Sequence, residues 1–440
     1  MSGYRSRGNL RVVCDGRRRP RSTLRAQVLV LGVTVALLVL LPVAHAGADI
    51  LGQPQTDSNA GPTVELPNNA ASVPGGGDVN KVTGDATADV AFRHPTARGG
   101  AQPRLALHYS SSAGDGEGGM GWGLGLPSIQ RRNISGLPHY ERDPAQGMPI
   151  QTMTDRFVFD GSPLVPLCTV GVGPACPMGE DFSQWSGWHY FRLQGDTMHA
   201  RFFWSADKKT WRVQLPSGNV MEFGAPHENP NDGGGLEFED PLQQLPPFRW
   251  NLIREWDAVR WSGIRSNVVV YQWGVLPPTP QRKSFRKFLT DEFDTPSQNG
   301  GAMLQYGQVA AGEFAHHTHL NYEATPTSTG LRTSGIFAPY DVRLISVDVT
   351  SMTLAADSGR QLVRRYHLSY FANSQTAMSS NRHSFLTRVS EEGTCPNISE
   401  ASISDATIGL CSVTAPPRRL YLLGPFDQLR VQHPRTNLPS

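Results

Sequence analysis

Residues 103–131 read PRLALHYSSSAGDGEGGMGWGLGLPSIQR, and this stretch decides the fold class. Leu105, Leu107 and Tyr109 alternate with Ala106, His108 and Ser110, the period-2 pattern of a half-buried strand. Seven glycines follow between Gly114 and Gly125, among them Gly116, Gly119, Gly121 and Gly123, with Trp122 inside the run. Glycine at this density permits positive φ or close backbone approach, at an entropic cost that an ordinary solvent loop has little reason to carry. The stretch predicts a strand, a built corner that buries Trp122, and a return strand carrying Ile129. Gly116–Gly121 also satisfies G-x-G-x-x-G, but dinucleotide binding needs a helix to open there. The residues that follow Gly121 are Trp-Gly-Leu-Gly-Leu-Pro, which disfavour one.

Outward from this block the same grammar continues. The 440 residues include 45 Gly and 34 Pro, scattered between short apolar runs, and 38% hydrophobic content supports a substantial core. Trp211, Val213 and Leu215 alternate before Pro216-Ser217-Gly218-Asn219, and Val220 to Phe223 return, which predicts a hairpin. Residues 267–271 read as a β-branched strand, and Ile345, Val347 and Val349 face Tyr366, Leu368 and Tyr370 across a turn at 357–359. No stretch of comparable length after Gly47 keeps a 3.6 period. The chain is therefore read as all-β, many short antiparallel strands in a large curled sheet, sandwich or shell segment.

The N-terminus differs. Its first 46 residues hold eight arginines against Asp15 alone, a net +7 in a chain whose total is +2, so the remainder carries about −5. The arginines precede an apolar run from Val28 to Leu41 and the small-x-small site Ala44-His45-Ala46. This is the order of a secretory signal peptide cleaved after Ala46, and the run is shorter than the ~20 residues a spanning helix needs. Arg17-Arg18-Arg19 also allow twin-arginine export. Residues 1–46 are read as the signal, 47–80 as a flexible Gly/Pro/Asn-rich leader, 81–425 as the β domain and 426–440 as a tail. The expected location is extracellular, periplasmic or at the cell surface, with no stable membrane span after cleavage. Removal of the signal takes Cys14 and leaves Cys168, Cys176, Cys395 and Cys411, whose spacing suggests the pairs 168–176 and 395–411. A four-thiolate metal site is the rival, with a spacing wider than zinc knuckles use.

Several groups could carry chemistry. Eight of nine tryptophans lie from Trp185 to Trp273, either packed across strands or offered as a carbohydrate- or receptor-binding face. Asp115 with Glu117, and Asp291 with Glu292 and Asp294, are carboxylate sets without EF-hand spacing. His317 and His319 share a strand face beside His316, but no third metal ligand is recognisable nearby in sequence, so a solvent-facing strand is expected. Residues 282–288, RKSFRKF, interleave base and aromatic, as single-stranded nucleic-acid grooves do; on a mildly acidic exported chain a charged edge strand is expected and no nucleic-acid partner. Mono-ADP-ribosyl transfer wants an Arg, a Ser-rich strand and Glu-x-Glu. Arg104, Ser110-Ser111-Ser112 and Glu237-Phe238-Glu239 occur in that order, though Gly233–Gly235 and Asp240-Pro241 make the glutamates look like an acidic turn. No Gly-x-Ser-x-Gly elbow, His-Glu-x-x-His or P-loop is present. No catalytic residue, metal or cofactor is assigned.

The opening block resembles the N-terminal domain of the Salmonella virulence plasmid B protein (SpvB) family, shared with B components of Tc insecticidal toxin complexes and with some RHS/YD-repeat proteins. The matching residues are Thr83-Gly84-Asp85-Ala86-Thr87, Pro103, Leu105, Leu107, Tyr109, Ser111, Gly114, Gly116, Gly119, Gly121, Trp122, Leu124, Ile129 and Arg131. Asp155–Gly161, Glu180, Phe182, Leu215–Gly218, Phe223-Gly224, Trp250–Leu252 and Tyr366–Tyr370 follow in the expected order. The resemblance implies a non-catalytic structural module of a toxin-like shell, with toxin-complex or RHS-type components, or a propeller and repeat domains beyond Ser440, as partners. A glycan- or receptor-binding module is the second reading and an ADP-ribosyltransferase the third.

Overall fold

The computed structural model describes residues 78–79, 84–133, 138, 140, 155–172, 176, 183–196, 198–238, 245–274, 286–333, 336–352, 359–371, 383–393, 400 and 419–422. Strands dominate these residues, and the fold is all-β.

A small sheet comes first. Strands β1 (Asp78–Val79), β2 (Ala86–Ala91) and β3 (Ala106–Ser110) pair antiparallel. Strand β1 lies inside the segment expected to be leader, because Asp78 and Val79 find partners in Thr87 and Ala86. The glycine block makes a miniature hairpin of β4 (Asp115–Gly116) and β5 (Gly119–Met120), then β6 (Trp122–Gly123) returns along β3.

The large sheet begins at β7 (Ser128–Arg132) and runs through β8 (Arg156–Phe159), β9 (Ser162–Thr169), β10 (His189–Leu193) and β11 (Arg201–Trp204). It continues through β12 (Thr210–Gln214), β13 (Val220–Gly224), the short β14 (Leu236–Glu237) and β15 (Arg249–Trp256). Consecutive strands from β7 to β13 pair as hairpins, and β15 pairs with both β7 and β13. Eight strands therefore close into a barrel, a size whose lumen side chains can fill. Phe157 on β8 contacts Trp211 on β12, four strands away around the ring, with centroids 5.0 Å apart. Trp204 and Trp250 join them, at 4.9 and 5.6 Å from Phe157. Alternation in β7–β15 sends these rings inward with Ile129, Phe202, Val213, Phe223 and Leu252, all fully buried.

After a two-strand flap, β16 (Arg260–Trp261) and β17 (Ile264–Arg265), the sheet leaves the barrel through β18 (Val268–Gly274), which pairs with β15. Strands β19 (Phe288–Pro296), β20 (Phe314–Thr333), β21 (Ile336–Met352), β22 (Arg360–Tyr370), β23 (Leu386–Glu392) and β24 (Arg419–Leu422) extend it as an antiparallel arm. One short helix, α1 (Gln298–Leu304), is capped by the Ser297 hydroxyl accepting from the Gly300 N–H. Among the described residues no helix is long and apolar enough to cross a membrane. Phe92 packs on Tyr366 at 5.0 Å, and the Tyr366 hydroxyl accepts from the Arg93 N–H, so the small sheet sits on the arm.

The β8–β9 turn carries a titratable group with a measurable consequence. Asp160 has φ 44° and accepts from the Ser128 N–H at 3.1 Å. Burial pushes its carboxyl up to about 6, with the Ser128 hydrogen bond pulling partly back. The folded state thus holds this proton more tightly than the unfolded chain. The resulting stability is complete below pH 3.8 and is lost as pH rises through about 6. Asparagine tolerates the same backbone and keeps the acceptor without ionising. Asp160→Asn is expected to be more stable than wild type by roughly 1–3 kcal/mol at pH 7.5, with the gap closing near pH 4. Coincident urea midpoints at pH 7.5 would refute this.

Candidate functional site

Three places in the fold gather polar or conformationally special residues. The first is the glycine block, which joins the small sheet to the arm. Gly119 adopts φ +94°, and a Cβ there would lie 2.3 Å from the Ser384 carbonyl oxygen. That same oxygen accepts from the Met120 N–H at 2.8 Å, so backbone meets backbone where no side chain fits. Gly121 adopts φ +79°, with a Cβ position 2.5 Å from the Tyr109 ring. Tyr109 in turn tilts against buried Trp122 at 5.1 Å. The Gly114 carbonyl accepts from Gly121, Gly116 pairs with Gly119, and Gly123 pairs with His108. From the hairpin tip, the Glu117 carbonyl accepts from the Leu344 N–H at 2.8 Å, and Asp115 bonds His383 at 2.8 Å. The expected return strand is corrected here. Ile129 lies on β7 in the barrel, whereas Tyr109 is answered by Trp122 on β6. Glycine spacing marks the turns but carries no information on which sheet the following strand enters.

The second place is the barrel lumen. Arg131, on β7 beside Phe157, is fully buried and donates from Nη1 to Asp155 Oδ2 at 3.2 Å. Its guanidinium carbon lies 5.3 Å from the Phe157 centroid and 5.9 Å from that of Trp204. Asp155 also accepts from Asn133 Nδ2 and the Tyr140 N–H, both at 2.9 Å. Both residues appear in the sequence motif, but as pattern positions; their pairing across 24 residues had no local signal.

The third place is the β19–β20 ladder, where Asp291 pairs with His319 and Phe293 with His317. Alternation puts Asp291, Phe293, His317 and His319 on one face, and Glu292, Asp294 and His316 on the other. Asp291 Oδ1 is 2.9 Å from His317 Nε2 and 2.7 Å from His319 Nδ1. Nδ1 of His317 bonds Glu400, which Arg360 Nε holds at 2.7 Å. Burial works against the Asp291 charge, yet hydrogen bonds from His317 and His319 hold its carboxyl well below the usual range. Burial also opposes the His317 charge, but Asp291 and Glu400 raise it; for His319 the Asp291 hydrogen bond is the leading cause of a raised value. The expectation of a solvent-facing pair with no third ligand is therefore corrected: Asp291 is the third group, 26 residues from His317 in sequence and adjacent only through strand pairing. On the far face, the His94 side chain lies largely buried beside Glu292, and desolvation pushes its imidazole down to about 4.

The remaining candidates separate. Arg104 bonds Glu255, Ser110 and Ser111 bond Asp85, and Glu237 bonds Asn251, so the arginine, the serines and the glutamate of the ADP-ribosylation pattern bond to separate partners. Glu239, Cys395, Cys411, Ala44 and Ala46 lie outside the described residues. Cys168 and Cys176 form a disulfide, with Cα atoms 5.4 Å apart. Asp115 and Glu117 turn to His383 and Arg286 instead of a common ion. Within the basic-aromatic heptad, Arg286 faces Glu117 and Phe288 is buried; residues 282–285 are not described. Trp185 and Trp188 pack with Tyr190 and Phe203 on the barrel's outer face, and Trp256 sits under Arg265 at 4.0 Å. No described tryptophan side chain from Trp185 to Trp273 is exposed, which is the packing outcome.

A closed eight-strand barrel continued by an open antiparallel arm through the β15–β18 pairing, with a small sheet held on the arm by a glycine hairpin, defines an all-β module. Residues 80–228 match the family model described as Salmonella virulence plasmid 65kDa B protein, SpvB. A curated relative, Mono(ADP-ribosyl)transferase SpvB of Salmonella typhimurium, is 35% identical over 105 residues, which are 23% of this chain and 16% of the relative. The chain thus matches about a sixth of that relative's length. Among solved structures, the N-terminal domain of effector protein SpvB from Salmonella typhimurium strain LT2 aligns with a TM-score of 0.52 at 16% identity, over 69% of this chain and 99% of that one. A Photorhabdus luminescens Tc holotoxin pore structure aligns with a TM-score of 0.51 at 17% identity, over 70% of this chain and 15% of that one. These findings make residues 80–228 similar to the SpvB family, and the structural likenesses show the shared fold.

Proposed function

We propose that this protein is an exported, non-catalytic scaffold module of a toxin-like assembly. The observation that carries the reading is the barrel packed solid with Phe157, Trp204, Trp211 and Trp250, continued by an arm that ends at β24. Rings that meet across the lumen occupy space a substrate would need, while a long antiparallel arm can form part of a wall. The likeness to the SpvB N-terminal domain and to a Tc pore structure supports a structural role beside other toxin components. Export is supported by the arginine-rich, then apolar N-terminus.

The full chain incubated with NAD is expected to release no nicotinamide above buffer. Release that disappeared in Glu239→Ala would overturn the non-catalytic reading. In the same preparation, a separately expressed protein carrying a β-propeller and YD repeats from the same locus should co-elute with the chain in size-exclusion chromatography. Independent elution at micromolar concentration would remove the scaffold reading.

A further inference from the structure

We propose that Asp291, His317 and His319 form a binding site for a divalent transition-metal ion, with zinc the best match. The donor set is two imidazoles and one carboxylate, contributed by neighbouring strands. One ligating atom of each residue lies within 4.8 Å of those of the other two, and His317 Nε2 and His319 Nδ1 lie 2.9 and 2.7 Å from Asp291 Oδ1. Zinc takes imidazole nitrogen at about 2.0–2.1 Å and carboxylate oxygen at about 2.0–2.2 Å, and three protein ligands plus water is its usual open arrangement. Both imidazole nitrogens already lie within hydrogen-bond distance of the same carboxylate oxygen, with protons between them. An ion replacing those protons needs the side chains only to spread slightly.

Two further features distinguish this cluster from a chance surface contact. His317 bonds a carboxylate through the nitrogen not aimed at the cluster, and Arg360 anchors that carboxylate, Glu400. Metal-bound histidines almost always have such an outer partner, because it sets the tautomer and aims the ligating nitrogen. Phe293 also stacks flat on the His317 ring, 4.2 Å away with planes 11° apart, which limits its rotation. The opposite side is open: His319 is 45% exposed, giving an ion an entry path and a place for water. Glu400 lies beyond β23 in sequence, so metal at His317 would strengthen the tie between Glu400 and the β19–β20 ladder. This inference does not depend on the scaffold reading.

The test uses the full chain, stripped with a chelator and titrated with ZnCl2 at pH 7.5 by calorimetry. One saturable site per chain is expected, with proton release on binding. Cobalt(II) substituted into the chain should give the intense visible absorption of a four-coordinate ion. His319→Ala, at a half-exposed position that does not threaten folding, should weaken zinc binding at least tenfold, as should Asp291→Asn. Glu400→Gln should weaken it about tenfold through His317. Zinc should raise the melting temperature of wild type and not of His319→Ala. Absence of a saturable site, or unchanged affinity in His319→Ala with circular dichroism like wild type, would overturn the proposal.

Discussion

Asp155→Ala is expected to lose a large part of the stability of this fold. Asp155 is fully buried, and it is the counter-ion to Arg131 inside the barrel, beside Phe157 and Trp204. Removing the carboxylate takes the anionic partner from a buried guanidinium and also strips acceptors from Asn133 and the Tyr140 N–H. Breaking a buried pair from one side costs about 3–5 kcal/mol, against total stabilities of about 5–15 kcal/mol for a domain. Replacing both charges is less damaging, since no unpaired ion remains. Arg131→Met combined with Asp155→Asn should therefore unfold at higher urea than Asp155→Ala alone. The measurement is equilibrium unfolding followed by tryptophan fluorescence, which reports directly on Trp204, Trp211 and Trp250. A loss below about 1 kcal/mol in Asp155→Ala, or a double variant weaker than the single, would show that the pair does not hold the lumen together.

The second large effect belongs to Gly119→Val. At φ +94° a β-branched residue is strained, and its Cβ would begin 2.3 Å from the Ser384 carbonyl oxygen, which the Met120 N–H needs. Backbone strain and overpacking together should cost roughly 3–5 kcal/mol and lower the yield of soluble protein. Gly121→Val should behave similarly, because Tyr109 occupies the space at 2.5 Å. Gly161 separates the two causes. It too has positive φ, +85°, but nothing lies within 4 Å of its Cβ position. Gly161→Ala should therefore show only the conformational part, roughly 1–2 kcal/mol. Equal losses in Gly119→Val and Gly161→Ala would mean that the contact with Ser384 contributes nothing to holding the small sheet on the arm.

Much of the local structure was legible in the chain because strands and turns are written at short range. The hairpin from Trp211 to Phe223 forms in the register its alternation suggests, with Trp211 opposite Phe223 and Val213 opposite Met221. Tyr366 meets Val347 as the patterning around the 357–359 turn indicates. The Cys168–Cys176 disulfide also follows from a short spacing. What failed was longer in range. Ile129 lies on the strand that follows the glycine corner, but nothing nearby in sequence shows that this strand enters the barrel and pairs with Trp250 and Phe159. The tryptophans were evident as a cluster, but alternation alone does not distinguish a filled lumen from an exposed face. Asp291 and the histidines stand apart in the sequence, and a ligand set split over two strands has no fixed spacing to recognise.

By itself the sequence determined the all-β class, the places where the chain turns, and the family resemblance carried by the glycine-tryptophan block. These depend on side-chain period and backbone freedom, which are properties of a few adjacent residues. Only the tertiary structure decided that β15 meets both β7 and β13 to close a barrel, that Arg131 finds Asp155 in its interior, and that Asp291 lies beside His317 and His319. Each of those follows from strand register between segments distant in sequence, where a slip of one residue sends every side chain to the opposite face.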